Sequence, residues 1–181
     1  MDEITSYALR FPTGPFKPLE TFNETLRQQY TGNIADLPYL IEVNTKDLSS
    51  KELAYLYRPE GWNINEVVHH LVDSHMNAFI RFKLALTEDN PTIKPYEEAK
   101  CVKLGDCGPE YFEEAKTLLA LLHKKWVRLI ESMSEEDFSR TYFHPESKKQ
   151  FTLDKVLAMY SWHSLHHLAH IKQAIDRKYQ Q

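Results

Sequence analysis

Trp162-His163-Ser164-Leu165-His166-His167-Leu168-Ala169-His170 lies near the end of a long helical pattern running from about Leu153 to Lys178. On a wheel of about 100° per residue, Val156, Tyr160, His163, His167, Ile171 and Ala174 share one face. That face is an apolar stripe pointing into a protein interior, with two histidines in its middle. Four of the chain's nine histidines fall in this short stretch. Residues four apart stack on one helix face, which pairs His163 with His167 and His166 with His170. Such a pair can chelate one transition metal from a single helix, and the metal then needs a ligand from elsewhere. The competing reading is ordinary buried histidines, each satisfied by a hydrogen bond. His166 lies to one side of the stripe, and His170 sits a turn further along.

Three more long helical patterns precede this one. The first runs from about Thr21 to Val43, with Phe22, Leu26, Tyr30, Ile34, Leu37 and Ile41 at three- and four-residue spacing. Gly32 and Pro38 predict a kink or a break in it. The second begins at Asn63, with Glu66 in capping-box position, and continues to about Thr87 before Pro91. The third follows Pro109, with Phe112, Ala115, Leu119, Leu122, Trp126, Leu129 and Met133 close to a heptad repeat. It has one apolar stripe and reads as scaffold. Residues 1–20, with Pro12, Gly14, Pro15 and Pro18, read as an extended leader whose Phe11 and Phe16 pack on the body. Residues 91–108 read as a long irregular connection, and residues 140–152 as a short hairpin. The pattern predicts an all-α four-helix bundle with long crossover connections and a small β-hairpin.

The third ligand is sought on the second helix. Val67, Leu71, Ala78, Phe82 and Ala85 form its core stripe, and His70, Ser74, Asn77 and Arg81 climb beside them within about 60° of one another. A solvated polar face would also explain this strip, but it lacks the Glu–Lys pairing of such faces, and a helix lining an internal cleft would show it. His70 is the natural third ligand. His69 and His75 point about 100° and 140° away and are weaker candidates. Three imidazoles with an open position make a catalytic rather than a closed site for one divalent metal, zinc foremost. Asp73, one turn after His70, is a candidate to accept that ligand's other ring proton. Tyr160, on the same stripe as His163, joins the cleft-lining candidates.

A chain of 181 residues fits one domain spanning residues 1–181. A net charge of −4 and pI near 6.1 give no basic footprint, so nucleic acid is not an expected partner. No apolar run is long enough to span a bilayer, and no signal peptide is read at the N-terminus, so a cytoplasmic setting with Cys101 and Cys107 reduced is expected.

Longer motifs carry a resemblance. Gly61-Trp62-Asn63, the run Val67-Val68-His69-His70-Leu71-Val72-Asp73-Ser74-His75-Met76-Asn77, and Ile80 to Glu88 with Pro95-Tyr96 resemble the DinB/YfiT-like proteins. So do Tyr142-Phe143-His144-Pro145, Trp162-His163-Ser164 and His166-His167-Leu168-Ala169-His170-Ile171. The similar branch carries a cautious metal-dependent hydrolase label. The resemblance implies a bundle with up-down-down-up wiring, a homodimer, and one zinc or nickel ion per subunit on His70, His163 and His167. It also implies kinship with transferases that join low-molecular-weight thiols such as bacillithiol to electrophiles. Leu165 replaces a histidine frequent in relatives, and Lys100-Cys101-Val102-Lys103-Leu104-Gly105 lacks a loop tryptophan.

Three functions follow as expectations. One is metal-dependent hydrolysis of a small-molecule substrate, although no Glu stands as in His-Glu-x-x-His, since Ser164 follows His163. The second is thiol S-transfer, in which the metal favours the nucleophilic form of a thiol and Arg81 and Asn77 bind its polar parts. The third is a non-catalytic metal-binding bundle.

Overall fold

Four long helices carry the fold in a computed structural model that describes residues 3–179. The elements are α1 (Glu3–Arg10), α2 (Glu24–Thr45), α3 (Ser50–Leu53), α4 (Ile64–Thr87), α5 (Glu98–Cys101), a 3-10 turn (Pro109–Tyr111), α6 (Phe112–Glu131), α7 (Glu135–Ser139), β1 (Thr141–His144), β2 (Lys149–Thr152) and α8 (Leu153–Arg177). The helix starts follow local chemistry. Asn63 accepts from the Glu66 amide at 2.8 Å while the Glu66 carboxylate accepts from the Asn63 amide at 3.1 Å, so two amides that α4 itself cannot satisfy are paired. Asn23 and Thr152 cap α2 and α8 from one side only, their side chains accepting from the Leu26 and Lys155 amides.

Side-chain pairs fix the wiring. α2 and α8 are parallel, because Arg27 bonds Asp154 and, further along both helices, Asn33 bonds Ser161. α2 and α6 are antiparallel, joining Ile34 to His123 and Glu42 to Lys116. α4 and α8 are antiparallel, since His70 meets His167 and the later Ser74 meets the earlier Tyr160. α4 and α6 run together, from His75 against His123 to Phe82 against Trp126. The direction is therefore up, down, down, up for α2, α4, α6 and α8. β1 and β2 form an antiparallel hairpin with Tyr142 opposite Phe151. Arg140 ties it to the end of α4 through the Ala85 and Glu88 carbonyls.

Three expectations need correction. The leader is not extended throughout, because residues 3–10 form α1; all its prolines and its glycine lie after Arg10, where the helix stops. The leader does pack on the body, as the Trp162 indole donates to the Gly14 carbonyl at 3.0 Å and Phe16 lies against Trp162. Helix α2 neither breaks nor splits at Pro38, which lies inside one continuous helix. Proline lacks the N–H that would bond to the carbonyl four residues back, that of Ile34, and its ring crowds that carbonyl. That carbonyl instead accepts from the His123 ring at 2.6 Å. The connection 91–108 is not wholly irregular, since it holds α5 and a bridge from Thr92 to Phe143.

The interior has two apolar clusters. One gathers Ala78 and Phe82 of α4, Trp126 and Ile130 of α6, and Leu153 and Leu157 of α8. The other gathers Val67 and Leu71, Phe112 and Leu119, and Leu168 and Ile171 of the same helices. Between them, at mid-height, lie His75 and His123, both buried, and His163, half-buried. No helix among the described residues is long and apolar enough to cross a membrane.

Candidate metal centre

His70 of α4 and His163 and His167 of α8 come together in the bundle. One donor nitrogen from each lies within 4.8 Å of the others, and the Nε2 atoms of His70 and His163 are 3.2 Å apart. Ring centroids are separated by 4.8 Å for His70–His167 and 4.4 Å for His163–His167. Trp62, just before the α4 cap, covers the cluster with its ring 4.7 Å from that of His70. Burial pushes His70 down to about 4, with His166 adding to the effect. Burial, then the neighbouring rings, holds His163 and His167 well below 6.5. All three are therefore neutral at physiological pH, the state in which imidazole ligates a metal. The donor set and spacing fit a divalent cation of the zinc type.

Behind the ligands stands a second layer of histidines. His163 Nδ1 lies 3.0 Å from His75 Nε2, His75 Nδ1 lies 2.7 Å from His123 Nε2, and His123 Nδ1 lies 2.6 Å from the Ile34 carbonyl. On the other side, His167 Nδ1 is 3.3 Å from His170 Nδ1, and His170 Nε2 is 3.1 Å from the Arg10 carbonyl. Burial lowers His123 to about 4 and His170 to about 3. Single-helix periodicity does not single out His75 or His123. The α6 stripe reads as scaffold, yet His123 follows Leu119 by four residues and precedes Trp126 by three, which puts it on that stripe. His75 points about 140° from His70, away from a single core face, but α4 is buried nearly all round from Ile64 to His75.

The remaining candidates divide. Asp73 does not reach His70, whose Nδ1 has no hydrogen-bond partner among the described residues. Three residues on, it is rotated by about 60°, and it lines an outer groove of about 630 Å³ with His69, Asp106 and Cys107. Burial, then Asp106, raises its carboxyl. Asn77 is turned back along α4, donating to the Asp73 carbonyl at 2.9 Å. Ser74, Arg81 and Tyr160 are all buried, and Tyr160 stands beside the cluster: its hydroxyl donates to the Ser74 carbonyl at 3.3 Å, and its ring is 5.6 Å from that of His163. Arg81 donates to the Lys94 carbonyl at 3.3 Å and has no carboxylate within 4 Å among the described residues. His166 stacks on Trp162 at 4.4 Å. Cys101 and Cys107 are free thiols, and burial pushes Cys107 up to about 11.

The profile of the DinB superfamily matches residues 35–171. The chain belongs to this family. A relative from Bacillus mycoides strain KBAB4, provisionally named a metal-dependent hydrolase, is 43% identical over 169 residues, covering 93% of this chain and 96% of its own. YfiT of Bacillus subtilis strain 168, also provisionally named so, is 36% identical over 174 residues, covering 96% and 98%. The solved structure of YfiT, described as a probable metal-dependent hydrolase with an unusual four-helix bundle topology, superposes with a TM-score of 0.89 over 94% of this chain and 98% of that one. Among DinB proteins this chain thus falls with the YfiT-like members. Their bundle is the fold derived above from side-chain pairs.

Proposed function

We propose that this chain is a metal-dependent hydrolase of small molecules that works with one divalent cation, zinc or nickel, on His70, His163 and His167. The observation that carries the reading is the convergence of three neutral imidazoles from two helices within 4.8 Å. Three protein ligands leave a tetrahedral cation one position for a reactant. A cation so held supplies Lewis acidity towards a water or a carbonyl oxygen. Trp62 and Tyr160 limit the space around the ligands, and the Arg81 guanidinium, buried and with no carboxylate within 4 Å among the described residues, suits an anionic group on the substrate.

A second reading, transfer of a low-molecular-weight thiol to an electrophile, is favoured by one observation. No carboxylate among the described residues hydrogen-bonds the three histidines, so hydrolysis lacks an evident general base, whereas a thiol becomes nucleophilic with less assistance. Arg81 would then hold an acidic part of the thiol.

Purified protein loaded with zinc, and separately with nickel, is to be assayed on a panel of esters and amides. A parallel assay uses chlorodinitrobenzene with several low-molecular-weight thiols. Ester or amide cleavage without thiol, abolished in His163→Ala, supports hydrolysis. Turnover only with thiol overturns it in favour of transfer. Zinc bound as tightly by His70→Ala as by the natural protein overturns the site itself.

A further inference from the structure

We propose that two relays of neutral imidazoles, each ending on a backbone carbonyl that its own helix leaves unused, lock the tautomers of His163 and His167. Each ligand is thereby made to present its Nε2 lone pair. His75, His123 and His170 are positioning residues in this scheme, which rests on the metal site proposed above.

Donors and acceptors must alternate along each relay. A carbonyl can only accept, so the 2.6 Å contact to Ile34 puts the proton of His123 on Nδ1. A neutral imidazole carries one N–H, so His123 Nε2 is an acceptor, and the proton in the 2.7 Å contact belongs to His75 Nδ1. His75 Nε2 is then an acceptor, and the 3.0 Å contact takes its proton from His163 Nδ1. His163 Nε2 is left with a lone pair, and it is the atom that faces His70 at 3.2 Å. The second relay resolves the same way. The 3.1 Å contact to Arg10 puts the proton of His170 on Nε2, so its Nδ1 accepts at 3.3 Å from His167 Nδ1. The nitrogen left on His167 is again Nε2.

Both terminal carbonyls are free for a stated reason. Pro38 lacks the N–H that would bond to Ile34 within α2. Arg10 is the last residue of α1, where carbonyls have no partner in their own helix. Isolated imidazole divides its proton between two nitrogens, and a ligand in the wrong tautomer must exchange before binding. Ring orientation by outer partners ordinarily raises metal affinity, and losing such a partner costs about 10–100-fold. His70 has no such relay.

The first test needs neither metal nor a variant. Long-range proton–nitrogen correlation spectra of the nitrogen-15-labelled, metal-free protein are expected to show Nδ1 as the protonated nitrogen of His75, His123, His163 and His167, and Nε2 as that of His170. A proton on Nε2 of His163 or His167 overturns the proposal, whatever the protein's activity. The second test is zinc affinity by competition with a chromophoric chelator. His123→Leu is expected to bind about 10–100-fold more weakly. His123→Gln is expected to stay within a few-fold of the natural protein, because an amide oxygen accepts from His75 while its N–H donates to Ile34. Equal losses in the two variants, or no loss in His123→Leu, overturn the relay. The pair His170→Leu and His170→Gln tests the second relay, and serves alone if His123→Leu does not fold. Failure of the natural protein to bind zinc would overturn the site and leave the spectra to decide the relays.

Discussion

Acid is expected to unfold the metal-free protein through its histidine layer. Burial pushes His70, His123 and His166 down to about 4 and His170 to about 3, whereas an imidazole in the unfolded chain titrates at about 6.5. Below that value the unfolded chain takes up protons that the fold excludes, so stability is full above about pH 6.5 and is lost as pH falls towards about 4. At about pH 5 a single group held at about 4 has cost roughly 2 kcal/mol. Three or four such groups approach the whole stability of an ordinary domain, about 5–15 kcal/mol. Urea midpoints followed by circular dichroism, in chelator, are expected to fall steeply from about pH 7 to about pH 5. His123→Gln, which removes one titrating group, is expected to flatten the slope. Saturating zinc should shift the loss to lower pH, since ligand at about 1,000 times Kd adds about 4 kcal/mol. A urea midpoint unchanged between pH 7 and 5 would show that the histidine layer does not oppose protonation.

Three further outcomes follow from the frame around the site. Arg27 meets Asp154 with two bonds, at 2.8 and 2.9 Å, between largely buried side chains, so Asp154→Ala is expected to cost about 3 kcal/mol in urea unfolding while leaving zinc affinity unchanged. Asn63→Ala removes the α4 cap at 2.8 Å and should cost about 1 kcal/mol, with Asn63→Asp costing less. Cys107, largely buried at the outer groove and pushed up to about 11, should react with a thiol reagent at pH 7 more slowly than an exposed thiol of ordinary pKa, and faster in urea.

Periodicity alone carried much of this protein. The apolar stripes of α2, α4, α6 and α8 were legible because each long helix must bury one face, the cap at Asn63 because a helix start needs local partners, and Pro109 because its fixed φ suits the 3-10 turn that leads into α6. His163 and His167 stood out for the same reason, as imidazoles at i,i+4 within a stripe. The single-helix wheel failed where a helix is buried on several sides, so His75 was set aside. It failed again where an apolar stripe was judged by its majority, which hid His123 on α6. Asp73 shows the converse error: nearness in sequence to His70 suggested a contact that the turn of the helix prevents.

Spacing along one helix dictates which faces turn inward and which histidines lie on them. What meets those faces comes from packing across the bundle, on which hydrogen bonds between helices depend. Pro38 marks the boundary between the two. From the sequence it reads as a helix breaker; in the fold it breaks one bond, and the carbonyl it frees is where the chain of imidazoles from His163 ends.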